Sequence, residues 1–354
     1  MKNIIVTGAT GYIGSEFVKL LVSRGINVIA LGRKKYDNIS SFRKKSLTGA
    51  QYLTIDMANI EELVEDLKTK NISIGSDCIF FNLAWGGVEK LSDLDIENQL
   101  MNVIWNEKAL DVAHRIGCKK FIQVGTMEEA FTYKYLELDY RDNSEYNRHV
   151  IYSVAKIAAK KTLEIKSSLL GIDYNYVLHS HVMGPDDDKD SFLQVTLQKL
   201  IYNDDLIFST GEQIFDVISK RDCAEGYFLI CTKGKNRLEY WVGSGKPRRL
   251  REYVEIMYDL YPSDKKMQFG KFPYNDVKLD KEDFSIKSLV KDTGFTIGSH
   301  FLVGISGLLI NTVIGNHFGV ANLGIINQAL SIYMILALVA NFGIQTSAQK
   351  HTSQ

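Results

Sequence analysis

The sequence predicts an α/β protein: a doubly wound parallel sheet, a smaller C-terminal lobe, and a hydrophobic helical hairpin after it. Three observations predict this. Apolar, strand-like runs alternate with helix-period segments through the first half of the chain. A glycine-rich turn stands between the first such run and the first helix. Residues 293–349 contain no Asp, Glu, Lys or Arg, in a chain that is 24% charged. Near-continuous apolar strands separated by helices indicate a sheet covered on both faces. A long uncharged stretch is not ordinary water-facing surface.

The elements follow in order. Residues 2–7 (KNIIVT) read as a buried strand. Residues 12–24 have helical periodicity, with Ile13, Phe17, Leu20 and Leu21 on one face. Residues 27–31 and 52–55 read as the second and third strands, and residues 60–68 as an acidic amphipathic helix. Residues 77–84 (DCIFFNLA) form the fourth strand, 91–116 a long helix and 120–124 the fifth strand. A further helix runs from Tyr152 to about Leu170, and a strand lies near residues 174–178. From Met183 the texture changes. The loop Gly184-Pro185-Asp186-Asp187-Asp188 opens shorter elements, richer in aromatic and basic residues. These predict a smaller substrate-binding lobe, mainly residues 180–295, within a first domain of residues 1–295.

Composition excludes several function classes. Lys+Arg and Asp+Glu both number 42 in 354 residues, so there is no basic excess and no nucleic-acid partner is expected. The four cysteines, Cys78, Cys118, Cys223 and Cys231, form no CxxC pair. No disulfide framework and no metal site are expected, and a reducing compartment fits. The N-terminal MKNIIVTGAT has too short an apolar run for a signal peptide.

The turn Thr7-Gly8-Ala9-Thr10-Gly11-Tyr12-Ile13-Gly14 carries the spacing GxxGxxG. The first glycine permits a tight turn, the second lets a pyrophosphate approach the backbone, and the third allows close helix–strand packing. The helix N-terminus that follows offers N–H groups to phosphates. This is the fingerprint of a Rossmann-type dinucleotide site. The second strand ends Leu31-Gly32-Arg33-Lys34-Lys35. An acid there would bind the ribose hydroxyls of NAD, whereas cations suit the 2′-phosphate of NADP. NADP is therefore the expected cofactor, with Arg33 as its main contact and Lys34 beside it; NAD is the alternative.

Tyr152-Ser153-Val154-Ala155-Lys156 is YxxxK, which puts Tyr152 and Lys156 on one helix face. An ammonium beside a phenol favours phenolate, so Lys156 is expected to lower the Tyr152 pKa and make it a proton exchanger at neutral pH. Lys156 can also bind the nicotinamide ribose. Two other YxxxK pairs, Tyr261 with Lys265 and Tyr274 with Lys278, lie far along the chain. Tyr152 differs because Thr126 stands just past the fifth strand, where ligands bind in open α/β sheets. Thr126, Tyr152 and Lys156 are the predicted catalytic set.

With these motifs in order, residues 1–295 resemble the extended short-chain dehydrogenase/reductase family, the NAD-dependent epimerase/dehydratase group. The resemblance implies further roles. Gly8, Thr10, Gly11, Tyr12, Ile13 and Gly14 would form the cofactor loop. Asp56 would bind the adenine amine, with Met57 beside it. Leu83 and Ala84, in the Asn82-Leu83-Ala84 motif, would flank the cofactor, and Asn102 would lie beneath the active site. Met183-Gly184-Pro185 resembles the family's aromatic-Gly-Pro turn, with Met in place of the aromatic. Asp216 and Arg221-Asp222 fall in its late Asp-containing segment. The substrate implied is a nucleoside-diphosphate sugar, with Trp85, Glu128 and His181 as contacts and a homodimer as the assembly. Departures narrow the reaction. Family dehydratases carry Thr-Asp-Glu after strand five; here the run is Thr126-Met127-Glu128, and Met127 cannot protonate a leaving hydroxyl. Family C4 epimerases keep an Asp after strand two, where Gly32-Arg33 stands here. The resemblance thus implies an NADPH-dependent reductase of 4-keto-6-deoxy or dideoxy hexose nucleotides for surface polysaccharide, with a C4 epimerase as the alternative.

The uncharged tail contains two apolar segments, 295–315 and 320–344, each close to the ~20 residues that span a bilayer core. Lys287, Lys291 and Lys350 flank them, and the connecting loop 315–319 has no Lys or Arg, so both ends are expected to be cytoplasmic. The expected second domain is a two-span hairpin over residues 296–354, in contact with the inner membrane, behind a cytoplasmic catalytic domain. The tail resembles the start of a polysaccharide (O-antigen) flippase, up to Asn341-Phe342-Gly343-Ile344-Gln345. The remaining spans are absent, so no transport is expected. A buried hairpin that mediates dimerisation is the alternative, and an export component with an inactive nucleotide-binding appendage is a third reading.

Overall fold

The computed structural model describes residues 3–75, 77–87, 96–132, 150–187 and 191–272. The expected hairpin, the end of the lobe and the Tyr274/Lys278 pair lie outside these residues. Among the described residues no helix is long and apolar enough to cross a membrane.

Five strands arise where the apolar runs predict them: β1 (Asn3–Thr7), β2 (Asn27–Gly32), β3 (Gln51–Thr54), β4 (Cys78–Asn82) and β5 (Lys120–Val124). All residues of β1, β4 and β5 are buried, as strands covered on both faces must be. β6 (Asp173–His179) joins β5. A seventh strand, β10 (Leu238–Val242), pairs with β6. The order is β10-β6-β5-β4-β1-β2-β3, and every pairing is parallel. All C-terminal strand ends therefore open on one edge.

Helices cover both faces. On one lies α1 (Tyr12–Ser23), and α2 (Ser41–Ser46) follows β2. On the other lie α3 (Leu63–Thr69), α4 (Ile96–Arg115) and α5 (Val150–Leu170). Leu63, Leu110 and Leu163 pack there against Ile5, Phe80 and Phe121. The predicted helix over residues 60–68 is in fact a 3-10 segment, Met57–Glu62, running into α3. Asp56 accepts the Ala58 N–H at 3.0 Å, and Asn59 leaves helical geometry, so the helix starts late.

The lobe contains α6 (Phe192–Tyr202), α8 (Leu250–Leu260) and two small pairings. β7 (His181–Met183) pairs with β9 (Val217–Ser219), and β8 (Ile214–Phe215) with β11 (Arg248–Arg249). Its core is Leu193, Leu200, Leu206, Phe208, Val254 and Met257. Unlike the contiguous lobe the sequence suggests, it is interrupted. α7 (Lys220–Lys233) returns to the main sheet and packs on α1. Tyr227 meets Phe17 edge-on at 5.6 Å and Phe81 at 5.1 Å, and Phe17 and Phe81 lie 4.5 Å apart. Removing one such ring costs about 3–5 kcal/mol, so this cluster fixes α7 to the sheet rather than to the lobe.

Candidate active site

The glycine loop joins β1 to α1. Gly8 has φ +65°, and a Cβ there would press on Ala84 N at 3.1 Å and Leu83 C at 3.2 Å. A Cβ on Gly14 would meet Gly8 O at 2.2 Å. Backbone therefore meets backbone, and only glycine fits. The helical ladder of α1 begins with Ser15 N–H donating to Gly11 O, and its first turn carries no acidic residue. That turn, which includes Ile13, presents the amides a helix cannot use itself, without negative charge to repel a phosphate.

Thr10 faces the end of β2: a Cβ on Gly32 would lie 3.1 Å from its side chain. Arg33, Lys34 and Lys35 follow with exposed side chains. Asp56 and Met57 close the same edge after β3. An amide-rich helix end flanked by cations, with no acid after β2, fits a phosphorylated dinucleotide.

The segment after β4 is tied down by buried polar groups. Thr7 Oγ1 donates to Asn82 Oδ1 at 2.5 Å and accepts the N–H groups of Leu83 (3.1 Å) and Ala84 (3.0 Å). Asn82 donates to Gln123 at 2.7 Å and to Asn106. Asn102 accepts the Gly86 N–H at 2.7 Å and donates to Gly86 O at 3.1 Å. Its role is thus to hold residues 83–87 from beneath. Gln99, which no motif singles out, accepts the Trp85 indole N–H at 2.8 Å.

Thr126, Tyr152 and Lys156 come together at the ends of β5 and α5. The Tyr152 hydroxyl hydrogen-bonds Thr126. Lys156 Nζ donates to Val124 O at 3.1 Å, lies 3.9 Å from the centroid of the Trp85 ring and 5.8 Å from that of Tyr152. Tyr152 and Trp85 meet edge-on at 6.1 Å. Electrostatics correct one expectation. Burial pushes the Tyr152 phenol above its ordinary range, against the Thr126 hydrogen bond, and Glu128 and Glu129 add to the rise. Lys156 does not produce a phenolate here. Its own ammonium is pushed down by burial and held up by Glu129. The tyrosine is therefore a protonated acid at neutral pH.

Around this cluster, His179 at the end of β6 donates from Nδ1 to Ser180 O at 2.9 Å, the carbonyl being only an acceptor. Burial lowers its pKa to about 4. His181 stands on β7 beside Phe215, ring centroids 5.1 Å apart, and its Nε2 is buried without a hydrogen-bond partner among the described residues. Glu128 lies in the turn after Thr126, which accepts its N–H at 3.3 Å. Tyr12 donates to Gly184 O at 3.1 Å, so the cofactor loop touches the Gly-Pro turn. Arg43 on α2 is buried and donates to Ser15 Oγ at 2.8 Å and Asp186 O at 3.0 Å. Sequence reasoning missed it, since a lone arginine in a basic run carries no signal of burial. Further out, Asp216 accepts from Ser244, and Arg249 and Arg251 pair with Glu212. The other described YxxxK pair does not recur as a site: Tyr261 is exposed and Lys265 pairs with Asp205 at 3.2 Å.

Residues 4–243 match the model of the NAD dependent epimerase/dehydratase family. The chain is 26% identical over 314 residues to CDP-abequose synthase of Salmonella typhimurium, covering 86% of this chain and 97% of that protein. It is 24% identical to the dTDP-6-deoxy-L-talose 4-dehydrogenase (NAD(+)) of Aggregatibacter actinomycetemcomitans, covering 77% and 95%. Among solved structures, the UDP-glucose 4-epimerase of Thermotoga maritima with UDP-glucose shares the fold. It has a TM-score of 0.63 at 19% identity, and the match covers 78% of this chain and 89% of that one.

Proposed function

The chain belongs to the NAD dependent epimerase/dehydratase family, and from that premise we propose that it reduces the keto group of a 4-keto-6-deoxy or dideoxy hexose nucleotide with NADPH, for surface polysaccharide. The observation that carries this reading is the Thr126–Tyr152 hydroxyl contact beside Lys156, with the tyrosine held protonated. A reductase needs an acid at that place. A similar relative is named as a sugar-nucleotide 4-dehydrogenase, the same carbon reacting in the opposite direction.

The glycine loop and the first turn of α1 would hold the pyrophosphate, and Arg33 with Lys34 the 2′-phosphate. Asp56 would reach the adenine, with Met57, Leu83 and Ala84 along the cofactor. Bound there, the reduced nicotinamide supplies a hydride. Thr126 holds the C4 oxygen, and Tyr152 gives that oxygen its phenolic proton as charge develops on it. Lys156 would leave Trp85 to bind the nicotinamide ribose and stabilise the phenolate that remains. Trp85, Glu128 and His181 would contact the substrate. Met127 has no proton to give a leaving hydroxyl, which disfavours loss of water.

Two finer readings accompany this one. A homodimer through α4 and α5 is supported by Leu100, Ile104, Ile165 and Leu169, which are 53%, 46%, 64% and 82% exposed. A membrane hairpin over residues 296–354 is supported by the missing charge alone. Extraction of membranes with carbonate tests it, and a soluble full-length chain would overturn it.

The function is tested by following NADPH and NADH oxidation by the full-length protein against a panel of 4-keto-6-deoxy sugar nucleotides, with Tyr152→Phe beside it. Turnover that vanishes in the variant is the expected result. No turnover, with NAD retained through purification, would replace the reductase by a C4 epimerase.

A further inference from the structure

The turn after β5 is spelled Thr126-Met127-Glu128-Glu129, and Glu129 faces back toward the reacting cluster. Its Oε1 accepts the Thr126 N–H at 2.9 Å and the Tyr176 hydroxyl at 2.7 Å. Two donors on one oxygen suit a carboxylate that carries its charge. Space for it exists because residue 125 is glycine. A Cβ on Gly125 would meet Glu129 Oε1 at 2.5 Å and the Tyr176 ring at 2.5 Å. Gly125, Glu129 and Tyr176 thus interlock directly behind the residue that holds the substrate oxygen.

The surroundings of Lys156 show why a charge there matters. Trp85 faces it from the segment after β4, Val124 O from β5, Tyr152 from its own helix and His179 from β6. None of these is an anion. Glu129 is the carboxylate that supports the Lys156 ammonium against burial. On its other sides Glu129 faces Lys160, which pairs with Glu239 and lies 4.9 Å over the Tyr176 ring, and the phenols of Tyr174 and Tyr176. Burial in turn pushes the Glu129 carboxyl upward, opposed by those hydrogen bonds and cations.

We propose that Glu129 is a positioning residue for the reacting cluster: held by the Thr126 N–H and the Tyr176 hydroxyl, it fixes Thr126 through the main chain and places a counter-charge beside Lys156. The proposal rests on the reading of Thr126, Tyr152 and Lys156 given above, and it adds a role for a side chain that touches neither substrate nor cofactor. Glutamine at 129 keeps the shape and both acceptor contacts but removes the charge. Aspartate keeps the charge but shortens the reach to Thr126.

The test reads the protein alone. Full-length protein carrying carbon-13 at lysine Cε is titrated by NMR, with the Lys156 resonance assigned through Lys156→Arg. In Glu129→Gln the Lys156 midpoint is expected to fall by about one pH unit, and in Glu129→Asp by less. A folded Glu129→Gln protein with an unchanged midpoint overturns the proposal. Should that variant fail to fold, Tyr176→Phe removes one donor from the carboxylate. It is expected to lower the Lys156 midpoint by a smaller step, and no movement again overturns the proposal. Turnover by the wild-type protein is read separately. If no keto-sugar is reduced, the reductase reading falls while the lysine titration still decides the role of Glu129.

Discussion

Gly8 and Gly14 sit at the same edge of the sheet as Thr126, Tyr152 and Lys156, but different forces shape the two places. At the loop, backbone lies against backbone, and a single added carbon at Gly14 would stand 2.2 Å from Gly8 O. At the cluster the arrangement depends on a few buried polar contacts: Thr126 with Tyr152, Lys156 with Val124 O, Glu129 with Thr126. Steric constraints are local and survive changes of charge. Polar constraints run across three elements and shift with protonation. The loop should therefore respond to added volume and the cluster to lost charge or lost hydroxyls.

The strongest break in this contrast is Tyr152→Phe. It is expected to lower kcat about 10²–10⁴-fold with NADPH affinity and Tm nearly unchanged, measured by steady-state kinetics beside fluorescence titration. A variant that lost cofactor affinity instead would merge the two regions. Gly14→Ala should do the reverse. It overpacks the loop, costs about 1–3 kcal/mol of stability and weakens NADPH binding, read by denaturant unfolding and by titration. Arg33→Gln is milder. It removes a charge-assisted contact to the 2′-phosphate and should reduce the preference for NADPH over NADH by about tenfold. An unchanged ratio would place the discriminating cation elsewhere.

The last effect is one of pH and touches stability alone. His179 is neutral in the folded protein, with its pKa lowered to about 4 from 6.5. Between those values the unfolded chain binds a proton that the folded protein refuses. Stability from this group is therefore complete above about pH 6.5 and is lost as pH falls toward 4. Thermal melts across that window should show the decline, and His179→Gln should flatten it.

How much of this was legible follows from the same division. The glycine spacing, the strand periodicity and the place of Thr126 after β5 are written in neighbouring residues. So is the capping box Thr126-x-x-Glu129, whose spacing alone announces that the two groups meet. The direction of the Tyr152 shift was not legible. The i,i+4 spacing puts Lys156 on the same face, but burial of the phenol and the carboxylates at 128 and 129 decide the outcome, and those come from tertiary packing. Arg43 and the return of α7 to the sheet were hidden for the same reason: their partners Asp186 and Phe17 lie far along the chain; Gln99 meets Trp85 across a segment that no local periodicity folds back. The Rossmann sheet was foreseen through six strands. β10 was not, because Glu239 and Trp241 make it read as surface, as an edge strand is.

That edge strand also governs how the lobe can be exchanged. The chain leaves the sheet after His179, returns for α7 and β10, and leaves again after Val242. The two exits are stitched together where Ser180 N–H donates to Val242 O at 3.0 Å, and the first segment is closed on itself where the Asp216 main-chain carbonyl accepts from His181 at 3.1 Å. Among the described residues the lobe is drawn from two segments of the chain, 180–219 and 243–272, rather than from one. A graft meant to exchange the lobe for a relative's must carry both segments and preserve the stretch between them. A single cut at the first exit would discard the seventh strand along with the lobe.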